Sequence, residues 1–263
     1  MLIVLKYGGN AMGGPDAADP LLDDIAERVR AGDDVVLVHG GGPQIDAALA
    51  ERKIVTERID GQRVTDAATL LVTEAVLCGN VNKALVRELR RRGVAAAGVS
   101  GQDGNLLEAR RLLTPAGASL GFVGEIIAVH PMVLETLLVA GFVPVVAPLG
   151  FETGSGGGAL NINADASAGA IAGALQADAY VVVTNVERVR RVRDDPATGL
   201  ARVSPSEAQA YLDDGTFDGG MRPKIRSALD ALAAGARSAI VCGAGTGALS
   251  RALAGDGTII ADG

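Results

Sequence analysis

Asp34-Val35-Val36-Leu37-Val38-His39-Gly40-Gly41-Gly42-Pro43-Gln44 decides the fold. A short run of β-branched and apolar residues closes on consecutive glycines, and Gln44–Arg52 behind them reads as a helix. The same order stands at the N-terminus. Leu2–Lys6 is a strand, Tyr7-Gly8-Gly9-Asn10 a turn, and Asp16–Arg30 a helix with Ala18, Leu21, Leu22, Ile25 and Val29 on one face. Further strands are predicted at Val94–Val99, Phe142–Ala147, Tyr180–Thr184 and Ser238–Val241. Most of the chain between them is helical, including one long helix or a pair from Asp66 to Arg92 around Gly79. Such alternation predicts an α/β fold, a mainly parallel sheet with helices on both faces. Leu106–His130 departs from it. Glu108–Leu113, a Pro-Ala-Gly turn and Gly121–Ala128 predict an antiparallel hairpin attached to that sheet. With no Pro/Ser-rich linker, 1–263 reads as a single domain. Its two lobes divide near Ser155–Ala170, at about 1–165 and 166–263.

Composition narrows the functional classes. A chain of 263 residues, 48% hydrophobic and 21% charged, can bury a sizeable core and is not disordered. The formal charge is −7, and the longest basic run, Arg90–Arg92, closes a helical stretch where the dipole favours cations. Nucleic acid is therefore not an expected partner. Cys78 and Cys242 read as buried inert thiols. The apolar start Met1–Leu5 is too short for a signal peptide, and no stretch is read as a membrane span, so a cytoplasmic protein with no membrane partner is expected. His39 and His130 are the only imidazoles, too few for a His-rich metal site, and no metal ligands are assigned.

Four segments carry chemistry. Lys6 ends the first strand beside Gly8 and Gly9, where an open parallel sheet binds ligands. His39-Gly40-Gly41-Gly42 offers backbone N–H groups to an anion, although no Gly-Lys-Ser/Thr follows to make a P-loop. In Asn161-Ile162-Asn163-Ala164-Asp165, polar residues spaced by two point one way from an extended segment: one acid to organise cations, Asn161 to bond a substrate. Asn163 or Asp165 as a helix N-cap is the simpler alternative. Asp218-Gly219-Gly220-Met221-Arg222-Pro223-Lys224 puts a lysine at a helix start, where it needs a compensating anion such as a phosphate. Two lysines, one aspartate and two glycine loops suit phosphoryl transfer, which depends on positioning and charge. Gly243-Ala244-Gly245-Thr246-Gly247-Ala248 matches a dinucleotide fingerprint, but too little chain follows it, and it reads as a structural turn.

The chain resembles the amino acid kinase family almost end to end. The resemblance is carried by KYGGNAM (Lys6–Met12), VLVHGGGPQID (Val36–Asp46), GQRVTD (Gly61–Asp66), GNVNKALV (Gly79–Val86), VSGQDGNLLEARR (Val99–Arg111), HPMVLETLLVAGFVPVVAPLG (His130–Gly150), LNINAD (Leu160–Asp165) and DGGMRPKI (Asp218–Ile225). It implies an αβα sandwich on a roughly eight-stranded, mainly parallel sheet. The implied reaction passes the γ-phosphoryl group of ATP, with Mg²⁺ held through the phosphates, to the γ-carboxylate of N-acetyl-L-glutamate in arginine biosynthesis. Lys6 and Lys224 would stabilise the transferring group and Asp165 would hold both. Gly8, Gly9, Gly41 and Gly42 would supply backbone donors, Arg63 a fork for the substrate α-carboxylate, and Asn161 a bond to its acylated amino-acid part. The nucleotide would lie near Thr184, Asn185 and Val189. Asn185–Arg191 departs from the family's usual Asp-Val-x-Gly-Val-Leu, and Gly243–Ala248 replaces a more polar segment. Starting directly at the first strand suggests an arginine-insensitive homodimer paired through the Asp66–Arg92 helices. The alternatives on this fold are a kinase for carrier-linked 2-aminoadipate in lysine biosynthesis and a catalytically silent ligand sensor. The acidic chain, the short stretch before Arg63 and the intact Lys6, Asp165 and Lys224 speak against them.

Overall fold

In the computed structural model, residues 1–9, 19–59, 61–154 and 157–262 are described. Apolar runs buried on both sides form the centre of a parallel sheet. In space the strands follow the order Arg202–Val203, Thr258–Ile260, Ala239–Gly243, Ala179–Thr184, Leu2–Tyr7, Asp34–His39, Val143–Ala147 and Ala96–Ser100. The six from Ala239–Gly243 onward are mutually parallel, and Thr258–Ile260 turns antiparallel to its neighbour. Leu2–Tyr7 sits in the middle, paired with Asp34–His39 on one side and Ala179–Thr184 on the other.

Period-two alternation divides the core. Ile3, Leu5 and Tyr7 face the helices Pro20–Arg30, Gly42–Glu51, Ala67–Arg91 and Ala248–Leu253. Val4, Val36, Val38, Tyr180 and Val182 face Met132–Val139, Ala164–Ala174, Pro205–Asp213 and Arg222–Ala233. Helix, sheet and helix make three layers. Lys6 shares the second face with Val4, so its side chain leaves the strand toward Ala164–Ala174.

One expectation needs correction. The hairpin forms, with Leu107–Leu113 antiparallel to Ser119–Val129. It does not extend the main sheet. The strands Leu149–Glu152 and Ala159–Asn161 close it into a separate four-stranded ring. Ala67–Arg91, in turn, has the length and composition of a membrane span. Its Val72, Val76, Leu77, Val81, Leu85 and Leu89 are instead spent on the core, and π-helical winding over Ala75–Val81 carries it past Gly79. The first helix runs from Pro20, capped by Asp19; the expected start at Asp16 and the turn residue Asn10 lie outside the described residues.

Candidate active site

Two chain ends of parallel strands and two helix starts meet at one point. Asn163 is the N-cap of Ala164–Ala174, its side chain accepting from the Asp165 and Ala166 amides. Asp165 therefore lies inside the first turn, and the expected extended alternation through it ends at Asn163. The cap frees its carboxylate. Asp165 Oδ1 is 3.0 Å from Lys6 Nζ and Oδ2 is 3.3 Å from Lys224 Nζ. Lys6 and Asp165 are each about nine-tenths buried, and Lys224 is the more open of the two lysines. The cation that the helix dipole disfavours at the start of Arg222–Ala233 thus has its anion.

The two helices behind this bridge approach closely. Gly169 packs against Ser227, where an added Cβ would lie 2.4 Å from the Ser227 carbonyl oxygen. The Tyr180 hydroxyl donates to the Asp165 carbonyl (3.2 Å) and meets Ser227 Oγ (3.1 Å), whose own hydroxyl donates to the Lys224 carbonyl. Desolvation pulls the Lys6 ammonium below the ordinary lysine range; Asp165 opposes that shift and Lys224 adds to it.

A cavity of about 380 Å³ opens from the lysines, within the range of small-ligand sites. Lys6, Gly8, Gly9, Thr184, Asn185 and Lys224 all line it. Gly8 lies beneath the Lys6 ammonium, since a Cβ there would sit 3.3 Å from Nζ. Val189 does not line it. Its side chain is fully buried, its N–H donates to Thr258 Oγ1 and its carbonyl accepts from the Leu200 amide, so packing and ladder bonds consume all it offers.

The residues expected to hold the acceptor form a second group. The glycine loops touch: a Cβ on Gly9 would lie 3.1 Å from both the Gly41 and the Gly42 nitrogen. Among the described residues, no backbone carbonyl outside the regular ladders accepts from the Gly9 or Gly41 amide. One turn beyond Gly42, Asp46 pairs with the buried Arg63 guanidinium, which also donates to Thr56 Oγ1 (3.1 Å). Asn161 Nδ2 donates to Thr65 Oγ1 (3.2 Å), and that hydroxyl donates to the Arg63 carbonyl. Arg63 and Asn161 are thereby linked, while neither lines the lysine cavity. His39 is no proton carrier. Burial pulls it down to about 4, and it is fixed between the Gly40 carbonyl and the Asn82 amide. Burial pushes the Cys78 thiol up to about 11 and Cys242 up to about 12, leaving both protonated at neutral pH.

Sequence reasoning missed three residues. Arg188, Arg190 and Arg193 also line the cavity. Their signal was the Arg-Val-Arg alternation just beyond a strand end, with a buried valine between two outward arginines.

Comparison with known proteins gives the family. The profile of the amino acid kinase family matches residues 1–243. An acetylglutamate kinase of Symbiobacterium thermophilum is 44% identical over 238 residues, covering 89% of this chain and 80% of that one. One from Methanopyrus kandleri is 42% identical over 260 residues, covering 98% and 99%. Among solved structures, a Streptococcus mutans protein superposes with a TM-score of 0.81 at 30% identity, covering 99% of this chain and 98% of that one.

Proposed function

The chain belongs to the amino acid kinase family, and from that premise we propose that it transfers the γ-phosphoryl group of ATP to the γ-carboxylate of N-acetyl-L-glutamate, a step of arginine biosynthesis. One observation carries the mechanism: Asp165 lies between the Lys6 and Lys224 ammonium groups, 3.0 and 3.3 Å away.

The acceptor needs no activation, because a γ-carboxylate with a reference pKa near 4.3 is already ionised at neutral pH. The task is to bring two anions together and absorb the charge that spreads over the transferring group. Lys6 and Lys224 do this from two sides, and Asp165 keeps the pair from repelling itself apart before the nucleotide arrives. The glycine loops bring bare amides to the same region, and Arg63, held by Asp46, presents a planar fork for the acceptor's α-carboxylate. Among the described residues the cavity lining offers a single carboxylate, Asp218, so Mg²⁺ would be held mainly by the nucleotide's own phosphates and would supply neutralising charge there. In this reading residues 1–165 hold the acceptor and 166–263 the nucleotide. The enzyme acts in the cytoplasm as a homodimer paired through Ala67–Arg91, on which Leu71 stands exposed.

Coupled ADP release separates the possibilities. Turnover with N-acetyl-L-glutamate, and none with N-acetyl-aspartate, free glutamate or carrier-linked 2-aminoadipate, is the expected result. Preference for the carrier-linked acceptor would transfer the protein to lysine biosynthesis, and ADP release with none of them would leave a ligand sensor.

A further inference from the structure

The segment between the strands Ala179–Thr184 and Arg202–Val203 carries Arg188, Arg190, Arg191 and Arg193. Three of them line the lysine cavity, and Arg191 does not. Local structure explains the selection. Val189 is pinned inward by its burial, by Thr258 Oγ1 on its N–H (2.9 Å) and by the Leu200 amide on its carbonyl (2.8 Å). Arg188 and Arg190, on either side of it, are half-buried and line the cavity. Beyond them the chain folds back on itself. Arg190 bridges to Gly199, the Arg191 amide donates to the Thr198 carbonyl, and the Val192 amide donates to Thr198 Oγ1. Arg190 Nη1 also donates to the Arg193 carbonyl (3.3 Å). The guanidinium groups are held on an ordered strap.

Charge on this wall is not balanced. Asp165 is shared by the two lysines. Arg188 meets Asp256 only at 3.7 Å, and among the described residues no carboxylate pairs with Arg190 or Arg193. A Cβ on Gly219 would lie 3.8 Å from Arg193 Nη1, which puts this guanidinium beside the turn that opens the Lys224 helix. An unneutralised wall of planar, fixed donors facing a cavity suits a polyanion and gains nothing from a neutral ligand.

We infer that Arg188, Arg190 and Arg193 form an anion subsite for the non-transferred phosphates of the nucleotide donor. The inference rests on the kinase reading and deepens it. The lysines take the group that moves, and the strap takes the phosphates that stay behind.

The test measures binding, apart from turnover. ADP, inorganic tripolyphosphate and adenosine are titrated calorimetrically into the full chain and its variants, with thermal melts as a control for folding. R190A/R193A weakens ADP and tripolyphosphate by at least about thirtyfold, as expected for lost charge-assisted hydrogen bonds, and leaves adenosine within about twofold. R193K recovers part of the loss, and R191A leaves all three ligands unchanged. Unaltered ADP affinity in R190A/R193A would overturn the subsite. So would an equal loss in R191A, which marks a diffuse field, or an equal loss of adenosine, which marks a deformed pocket. A wild-type chain that binds no ADP would overturn the nucleotide reading as well, whereas ADP binding without acetylglutamate turnover would leave the subsite standing and remove only the acceptor.

Discussion

Two turns of this protein are spelled alike and behave oppositely. Each follows a central parallel strand, is rich in glycine and leads into a helix. At His39–Pro43 the helix Gly42–Glu51 starts without a side-chain cap, and its loop lies against Gly9 beside the lysine cavity. At Gly243–Gly247 the short helix Ala248–Leu253 starts against the buried Asp24. That carboxylate accepts from the Leu249 and Ser250 amides and from the Ser250 hydroxyl. The place a phosphate would take is filled by the protein's own anion. Glycines make an anion site possible, and what decides it is whether the helix donors are already satisfied.

Removing the charges of the lysine cavity, beside the open turn, is expected to have the largest effect. Lys6→Ala and Lys224→Ala each lower kcat by more than 100-fold (about 2.7 kcal/mol), read by ADP release at saturating substrates. The pH profile sharpens the result. Burial already depresses Lys6 in the free protein, so the alkaline limb of wild-type kcat/KM falls below the ordinary lysine range if the ammonium is the active form. Lys224 depresses Lys6 further and Asp165 raises it. The residual activity of Lys224→Ala therefore loses its alkaline limb at higher pH than wild type, and that of Asp165→Asn at lower pH. Movement of both limbs in the same direction would break the triad assignment.

The closed turn is expected to fail differently. Asp24→Ala strips two amides and a hydroxyl of their acceptor in a buried site, at a cost of about 2 kcal/mol. In a domain of this size that lowers Tm by roughly 5 °C. Below the new Tm, kcat and KM stay within about twofold of wild type. A large loss of nucleotide affinity would mean that the Gly243–Gly247 turn belongs to the site after all.

Much of this was legible in the chain because it was local. The strand–glycine–helix order fixed the sheet and its two helical layers, and Lys6 and Lys224 were visible as cations placed where helices and strand ends favour anions. The features that escaped needed a partner distant in sequence. Asp24 meets Ser250 across the fold, and nothing near either residue announces it. The hairpin's true neighbours, Leu149–Glu152 and Ala159–Asn161, are too short to carry a period of their own. The family resemblance implies a nucleotide contact for Val189, and the chain does not keep it. Val189 turned inward because Thr258 and Leu200 were waiting for its backbone.

Single methyl groups give the finest version of the contrast. Gly9→Ala places a Cβ 3.0 Å from Pro43 Cδ and 3.1 Å from the Gly41 and Gly42 nitrogens, with stiff backbone on the receiving side. One glycine loop must move off the other, and kcat/KM falls about tenfold, or roughly 1.4 kcal/mol, with little change in Tm. Gly245→Ala meets nothing within 4 Å, but its φ of +128° is a conformation alanine resists. That strain costs about 1 kcal/mol of stability and lowers Tm by a few degrees while catalysis is untouched. The two substitutions are chemically identical, so their effects separate only if one turn is a working surface and the other a structural corner. Equal losses of activity from both would erase the distinction between the turns.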